Sequence, residues 1–286
     1  MLSDRFYVGL RLKRTELQEQ FYITTGSLDA SEPQVVSILL GTDYLGYALY
    51  NPSRNLLTEL RWFGTKENRN NRFDTLLHHY PQLKKNPIRV VIGIDNNTNI
   101  LVPTELYQEE PLASLYLNGA DTREILIRES IAAYNISNFY TIRQELQQNL
   151  NNNFEAYRLK HLKSVWIENR PAPTDKGLLE IVVFNDSFLL VARKDEKVLL
   201  AQTYPYSSPA DVLFYALRAC KNYNLLQETV LIKLSGLVEE GSSLYKTLYL
   251  YFIHIEFQQA DWVLPATLEF PASHLFTSLY LLSTCA

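Results

Sequence analysis

The sequence predicts an α/β protein made of two related halves. Two clusters of strand-forming residues lie 143 positions apart, and each contains three short apolar segments separated by turn residues. A stretch with helical periodicity and then another apolar strand follow each cluster. The succession of three strands, one helix and one strand therefore occurs twice, which is typical of an internal duplication.

The first copy begins with Ser37 and ends near Ile94. Its segments are rich in β-branched and aromatic residues and are bounded by Gly, Pro, Asn and Asp, which favours strands joined by tight turns. A turn at Pro52-Ser53 separates the second strand from the third. The predicted elements are strands 37–43, 46–50 and 56–60, a helix at 72–83 and a strand at 89–94.

The second copy repeats this order after a turn-rich linker at 170–177. Pro209 suits the first turn of a helix, with Ser207 or Ser208 as its cap. The predicted elements are strands 180–186, 188–192 and 198–202, a helix at 209–223 and a strand at 230–234. An alignment without gaps places Ile181 on Ile38, Asp186 on Asp43, and Leu199-Leu200 on Leu56-Leu57; the final strands align at an offset of 140.

The remaining segments complete a three-part organisation. An extension at 1–34 is expected to pack on the first half, 35–172, which carries an inserted α+β subdomain at about 97–160, and the second half spans 173–286. The apolar run 248–255 predicts a buried strand, since it is far shorter than the ~20 residues of a membrane span. Further predictions are short helices at 104–118, strands at 123–132, 138–142 and 154–159, a helix at 145–153, and an amphipathic helix at 272–285.

Composition narrows the class of protein. Hydrophobic residues form 47% of the chain, enough for a substantial core, and the net charge of −4 provides no general attraction to nucleic acid or anionic membrane. The two cysteines, Cys220 and Cys285, are too few for a disulfide framework or a usual zinc site. No secretory signal is visible at the N-terminus. We therefore expect a cytoplasmic protein without membrane insertion, a metal site or a nucleic-acid partner.

A duplicated unit of this kind resembles the actin-like ATPase fold, which has a ribonuclease-H-like core and is shared by sugar kinases, Hsp70-type chaperones, FtsA and PilM. The segment Ser37-Ile-Leu-Leu-Gly-Thr-Asp-Tyr-Leu-Gly-Tyr-Ala-Leu-Tyr-Asn-Pro52 is similar to the opening of an uncharacterised Bacteroidota family, domain of unknown function 3822. The segment around Pro103 and the aromatic C-terminal helix are also similar. The resemblance implies two βββαβ-containing halves around a cleft, with no assigned activity.

In active members of the actin-like fold, the first strand of each copy ends in an Asp-x-Gly pattern that receives the phosphates and Mg²⁺. Here the two aspartate positions hold Leu39 and Val182, and the second glycine position holds Phe184. Aliphatic side chains cannot supply the oxygen ligands that Mg²⁺ requires. On the adenosine side, Gly236 remains of a usual glycine pair. The resemblance therefore implies a relative that does not hydrolyse ATP and needs no cofactor.

Several polar positions near these loops remain as candidates for nucleotide contact. Asp43 and Asp186 could act as displaced carboxylates of an actin-like kinase or ATPase, or could be ordinary turn residues. A nuclease would use Asp43 and Asp95, with Asp74 as a third carboxylate. The candidate cofactor-binding residues are Gly41, Thr42, Asp43, Asn185, Asp186, Ser187 and Gly236. The preferred prediction is a pseudo-ATPase that acts as a scaffold or binds a protein or peptide.

Overall fold

Two mixed β-sheets, one in each half, form the centre of the molecule. The computed structural model describes residues 17–24, 34–64, 72–85, 87–106, 123–263 and 272–285. Its strands are β1 (Gln18–Thr24), β2 (Val35–Leu40), β3 (Tyr44–Asn51), β4 (Leu56–Gly64), β5 (Arg89–Ile94), β6 (Asn99–Pro103), β7 (Glu124–Ile131), β8 (Ile136–Arg143), β9 (Arg158–His161), β10 (Thr174–Val183), β11 (Ser187–Asp195), β12 (Lys197–Pro205), β13 (Leu231–Gly236) and β14 (His254–Phe257).

The helices connect and cover these sheets. They are α1 (Arg72–His79), α2 (Gln144–Asn153), α3 (Leu162–Glu168), α4 (Pro209–Tyr223), α5 (Ser243–Tyr249) and α6 (Thr277–Thr284), with 3-10 turns at Pro81–Lys84, Thr104–Leu106, Ala132–Tyr134 and Ser273–Phe276. At the N-terminus of α4, the carboxylate of Asp211 accepts from the backbone amides of Ser207 and Ser208 over 2.9 and 2.8 Å, which fixes the start of the helix. None of the described helices is long and apolar enough to cross a membrane.

The sheets confirm the duplication and extend it by one strand. The first has the order β1-β4-β3-β2-β5-β9 and the second the order β12-β11-β10-β13-β14. In each half an antiparallel meander is followed by two parallel strands, because β5 and β9 add parallel to β2 just as β13 and β14 add parallel to β10. A third sheet of order β6-β8-β7 lies between β5 and β9 in the chain.

The last helix of each half packs on the sheet of the other half. Helix α3 follows β9 and contacts β11 and β12, whereas α6 follows the second sheet and contacts β2, β3 and β5. The predicted C-terminal helix is therefore not amphipathic, because most of α6 is buried between the sheets. This exchange joins the two halves through one hydrophobic core that contains Leu39, Val182 and Leu282.

The register of the sheets corrects the alignment of the two copies. Ile38 pairs with Tyr47 and Ile181 with Leu190, so the 143-residue offset holds for the first two strands. Tyr50 pairs with Leu57, but Arg193 pairs with Val198, so the third strands are offset by 141 residues and the predicted match of Leu56-Leu57 with Leu199-Leu200 is wrong. Four residues separate the paired residues Asn51 and Leu56 at the end of the first hairpin, and two separate Lys194 and Lys197 at the end of the second, which accounts for this shift.

The fourth strands also needed a correction. Ile38 pairs with Ile92 and Ile181 pairs with Leu234, so their offset is 142 rather than 140. The predicted strand 154–159 begins only at Arg158, and the linker 170–177 ends early because β10 begins at Thr174. The predicted helix 72–83 ends before Pro81, whose ring removes a backbone donor. Of the short helices predicted at 104–118, residues 107–118 lie outside the described part of the chain.

The apolar run 248–255 does not form the predicted buried strand. Helix α5 ends at Tyr249, a turn follows, and β14 begins at His254. Leu250 is 80% exposed and Ile253 is 64% exposed, so this segment places apolar side chains on the surface. The hydrophobic periodicity of so short an apolar segment does not distinguish the end of a helix from a strand.

Candidate functional site between the two halves

The turns that follow β2 and β10 meet where the two halves face each other. The amide Nδ2 of Asn185 donates to Oδ2 of Asp43 over 2.9 Å, and Thr42 Oγ1 donates to Oδ1 of the same carboxylate over 3.2 Å. Asp186, which the alignment matched with Asp43, is exposed in the second turn. The structure therefore brings Thr42, Asp43 and Asn185 together, but it does not pair the two aspartates.

Three aromatic rings are stacked beside this contact. Tyr44 lies between Trp62, with ring centroids 4.7 Å apart, and Phe184, with centroids 4.9 Å apart. The rings are nearly parallel, at 13° and 6°. All three side chains are buried, and the stack joins β3 and β4 of the first half to the β10–β11 turn of the second. Aromatic pairs of this kind each contribute roughly 0.5–1.5 kcal/mol beyond the burial of their area.

On the side where a Cβ would lie, Gly41 is covered by a ring of this stack. A Cβ atom at this position would lie 2.3 Å from Cε1 of Tyr44, so the ring covers the face of the glycine. The turn is closed by the amide of Gly41, which donates to the carbonyl of Tyr44 over 3.0 Å. A glycine in a phosphate-binding loop exposes its backbone to the ligand. Here the ring of Tyr44 lies against Gly41, where a phosphate would approach the backbone in such a loop.

The matching positions of the second half are equally closed. The backbone amide of Phe184 donates to the carbonyl of Ser187 over 2.8 Å, and the hydroxyl of Tyr206 donates to the carbonyl of Phe184 over 2.9 Å. Leu39 and Val182, at the two aspartate positions, are both buried in the shared core. They lie where the sequence placed them, and neither can coordinate a metal ion.

Gly236 ends β13 in a left-handed conformation with φ of +79°. A Cβ atom there would lie 2.1 Å from the carbonyl oxygen of Val183, so only glycine fits beside the neighbouring strand. The next residues are covered by the C-terminal segment, since a ring nitrogen of His274 lies 2.6 Å from the carbonyl of Val238. Gly236 therefore allows the end of β13 to approach Val183 of β10 closely, and the chain that follows it is packed.

Taken together, these positions do not fit a magnesium nucleotide. The aspartate positions hold aliphatic side chains, Tyr44 covers one side of Gly41, and the turns are bonded to each other across the halves. The described residues contain no group of three histidine, cysteine or carboxylate side chains able to hold a metal ion.

Asp95 was considered only for a nuclease, and the structure gives it other partners. Its Oδ2 accepts from the hydroxyl of Tyr44 over 2.7 Å, and its backbone amide donates to the carbonyl of Leu40 over 2.8 Å. Burial raises the pKa of Asp95, against the effects of the Tyr44 hydrogen bond and the positive charge of Lys163. Asp74, the third carboxylate of that hypothesis, instead accepts from Asn149 over 2.7 Å on an exposed part of α1.

Lys163 is the charged residue near Asp95 that sequence reasoning missed. Its ammonium donates to Oδ1 of Asn99 over 2.6 Å. Burial lowers the pKa of Lys163 to about 8, although the charge of Asp95 acts in the opposite direction. An acidic residue directly after an apolar strand was visible in the sequence. Nothing in the sequence indicated that a lysine 68 positions later would be buried near it.

Comparison with known proteins places this geometry in a family. A family model described as "Protein of unknown function (DUF3822)" matches residues 24–255. No curated protein matches the sequence. A crystal structure from Bacteroides thetaiotaomicron VPI-5482, described as a protein with actin-like ATPase fold and unknown function, is similar with a TM-score of 0.75 and 19% identity, covering 91% of this chain and all of that one.

A second similar structure is a chain of the PilM-PilN type IV pilus biogenesis complex. It superposes with a TM-score of 0.61 at 12% identity, and the match covers 88% of this chain and 98% of that chain. At these identities the likeness establishes the fold. The family match spans most of the chain, so this protein belongs to the DUF3822 family of proteins of unknown function and has an actin-like ATPase fold.

Proposed function

We propose that this protein is a non-hydrolysing member of the actin-like fold that acts by binding a protein or peptide partner. The observation that carries the proposal is the stack of Trp62, Tyr44 and Phe184, which occupies the junction of the two turns. Burying three large aromatic side chains at one point favours the closed arrangement. The ring of Tyr44 covers the side of Gly41 on which a Cβ would lie, and the Gly41 amide is bonded to the carbonyl of Tyr44, so that amide is not available to a phosphate.

The binding of a partner is supported by the kind of protein that shares the fold. The similar PilM chain was solved as part of a complex with PilN. A rigid duplicated scaffold with a closed central site can still present clefts and sheet edges to a polypeptide. We propose that the present chain performs this role in the cytoplasm without a nucleotide.

Titration calorimetry with ATP and Mg²⁺ tests the proposal. We expect no saturable heat and no ATP hydrolysis, because the positions that would hold phosphate and metal are buried and aliphatic. Asp186→Ala should leave this result unchanged, as should Asp175→Ala, an exposed aspartate at the start of β10.

Tight binding of MgATP with turnover that disappears in Asp186→Ala, but not in Asp175→Ala, would contradict the proposal. Such a result would favour an actin-like kinase or ATPase that uses a displaced carboxylate.

A further inference from the structure

The outer edge of β14 pairs with no other strand among the residues that the structure describes. β14 is the last strand of the second sheet and pairs in parallel with β13 on its inner side. On that inner side the amide of Gln258 donates to the carbonyl of Leu234 over 2.8 Å. The backbone groups of successive residues point to alternate sides of a strand, so those of Ile255 and Phe257 point outward. Such an edge is a template for pairing with another chain.

The equivalent edge of the first half is protected by cations. β9 is the last strand of the first sheet, and two of its four residues are Arg158 and Lys160. Lysine and arginine side chains on an edge strand oppose pairing with a further chain. β14 also has four residues and contains neither lysine nor arginine. The second half therefore lacks the protection that the first half has at the same place in the fold.

An exposed apolar patch adjoins the edge of β14. Tyr249, Leu250, Tyr251 and Ile253 are each at least half exposed, whereas Phe252 is buried and anchors the segment. From the usual areas of these side chains, their exposed parts amount to about 350 Å². A standard interface buries about 800 Å² of each partner, of which ~450 Å² is apolar. The patch therefore supplies most of the apolar area that one side of a stable interface needs.

The sequence around Ile255 is self-complementary in an antiparallel pair. When Ile255 lies opposite Ile255 of a second copy, His254 lies opposite Glu256, and Ile253 lies opposite Phe257. His254 and Glu256 are exposed on one face of the strand, so an imidazole meets a carboxylate twice by symmetry. The apolar pairs lie on the other face. This register therefore matches both charge and hydrophobicity.

The neighbouring symmetric registers do not match in this way. In an antiparallel ladder, residues whose backbone groups point outward lie opposite each other. A pair centred on His254 or on Glu256 satisfies this rule, but it places two imidazoles or two carboxylates opposite each other. Like charges directly opposite each other are destabilising. Side-chain charge therefore selects the register centred on Ile255.

We propose that two copies of this chain associate through β14, in an antiparallel pair centred on Ile255. The backbone groups of the two Ile255 residues exchange hydrogen bonds across the two-fold axis, and the two five-stranded sheets become continuous. A two-fold interface requires a surface that complements itself, and residues 253–257 meet this requirement. The inference goes beyond the proposed function, because it involves neither the junction of the halves nor a nucleotide.

Sedimentation equilibrium of the full chain tests the association. We expect a monomer–dimer equilibrium with a Kd on the order of 10 μM, since the interface is small. Ile253→Lys should raise this Kd by about tenfold or more, because a lysine beside the edge opposes strand pairing. The matched control is Ile88→Lys, at a 55% exposed isoleucine directly before β5 of the first half, and it should leave the Kd unchanged.

An exchange of the two polar residues tests the register. His254→Glu places carboxylates opposite each other in both symmetric pairs and should raise the Kd by about tenfold or more. The double variant His254→Glu with Glu256→His restores unlike partners only in the register centred on Ile255. Its Kd should return to within about threefold of that of the unmodified chain. Both positions are exposed, and circular dichroism reports whether the variants remain folded.

A chain that stays monomeric at about 500 μM overturns the inference. A dimer with an unchanged Kd in folded Ile253→Lys or His254→Glu also overturns it, as does a double variant that associates as weakly as His254→Glu alone. These outcomes are distinct from failure of the proposed function, because that failure appears as binding and hydrolysis of MgATP whatever the oligomeric state.

Discussion

The two halves share a backbone but differ in the side chains at the ends of their central strands. The amide of Asp95 donates to the carbonyl of Leu40, and the amide of Leu237 donates to the carbonyl of Val183, both over 2.8 Å. These bonds are equivalent in the two sheets, yet one residue is a buried carboxylate and the other is a leucine. The backbone hydrogen bond therefore occurs in both halves, and only the first half has a buried carboxylate at this position.

A buried ion pair is present in the second half and has no equivalent in the first. Nε of Arg193 donates to Oε2 of Glu180 over 2.7 Å, and both side chains are almost fully buried. The matching residues of the first half are Ser37 and Tyr50, which carry no charge. Arg193 also donates to the carbonyl of Trp166 over 2.6 Å, at the end of the exchanged helix α3. This ion pair therefore anchors the contact between the halves.

The largest effect that we predict breaks this contact. Arg193→Met should lower the free energy of unfolding by about 3–5 kcal/mol, because it removes the guanidinium that compensates the buried carboxylate of Glu180. Urea denaturation measures the change, and Arg218→Met, at an exposed position of α4, should have little effect.

The double variant Glu180→Leu with Arg193→Met sharpens the result. It should be clearly more stable than Arg193→Met, because no uncompensated charge remains. If the double variant is as unstable as the single one, the hydrogen bond to Trp166 matters more than the compensation of charge.

A second prediction concerns the charged residues of the first half. Lys163 should titrate with a pKa of about 8 when followed by NMR of its side chain, whereas an exposed lysine titrates near 10.4. Above pH 8 the unfolded chain binds more protons than the folded one at this site, so its contribution to stability rises with pH until about 10.4.

Asp95→Asn should lower the pKa of Lys163 further, since the Asp95 charge raises it. A midpoint near 10 in the unmodified chain would show that Lys163 is solvated. That result would contradict the view that the first half, unlike the second, has buried charged groups around Asp95.

The smallest effect is expected at the contact of the two turns. Asn185→Ala removes the hydrogen bond to Asp43, but Asn185 is exposed, so the loss should be below about 1 kcal/mol. A double-mutant cycle with Asp43→Ala measures the coupling directly. A coupling of several kcal/mol would show that this exposed contact, and not the aromatic stack, closes the junction.

Much of the fold could be predicted from the sequence because its signals are local. Alternating apolar residues and turn residues identified both meanders, and Pro209 with Ser208 identified the start of α4. The predicted alignment of the third strands was wrong because their register depends on the length of the preceding turn. A shift of two residues keeps the same face of the strand buried, so the apolar pattern does not reveal it. The prediction of a buried strand at 248–255 was wrong because the tertiary surroundings of this segment, and not its composition, decide how exposed it is.

For the candidate site, the sequence predicted only which phosphate and metal contacts are missing. Leu39, Val182 and Phe184 indicated missing phosphate contacts, but not what takes their place. The sequence did not indicate a role for Tyr44 and Trp62, because their stack with Phe184 forms only when the second half packs against the first.

By itself the sequence determined the duplicated α/β architecture and showed aliphatic residues, Leu39 and Val182, where the resemblance expects aspartates, because periodicity and residue chemistry are properties of short segments. The tertiary structure alone decided that aromatic rings close the junction, that α3 and α6 are exchanged between the halves, and that Lys163 is buried near Asp95. Those features depend on contacts between residues separated by tens to hundreds of positions, which no local pattern encodes.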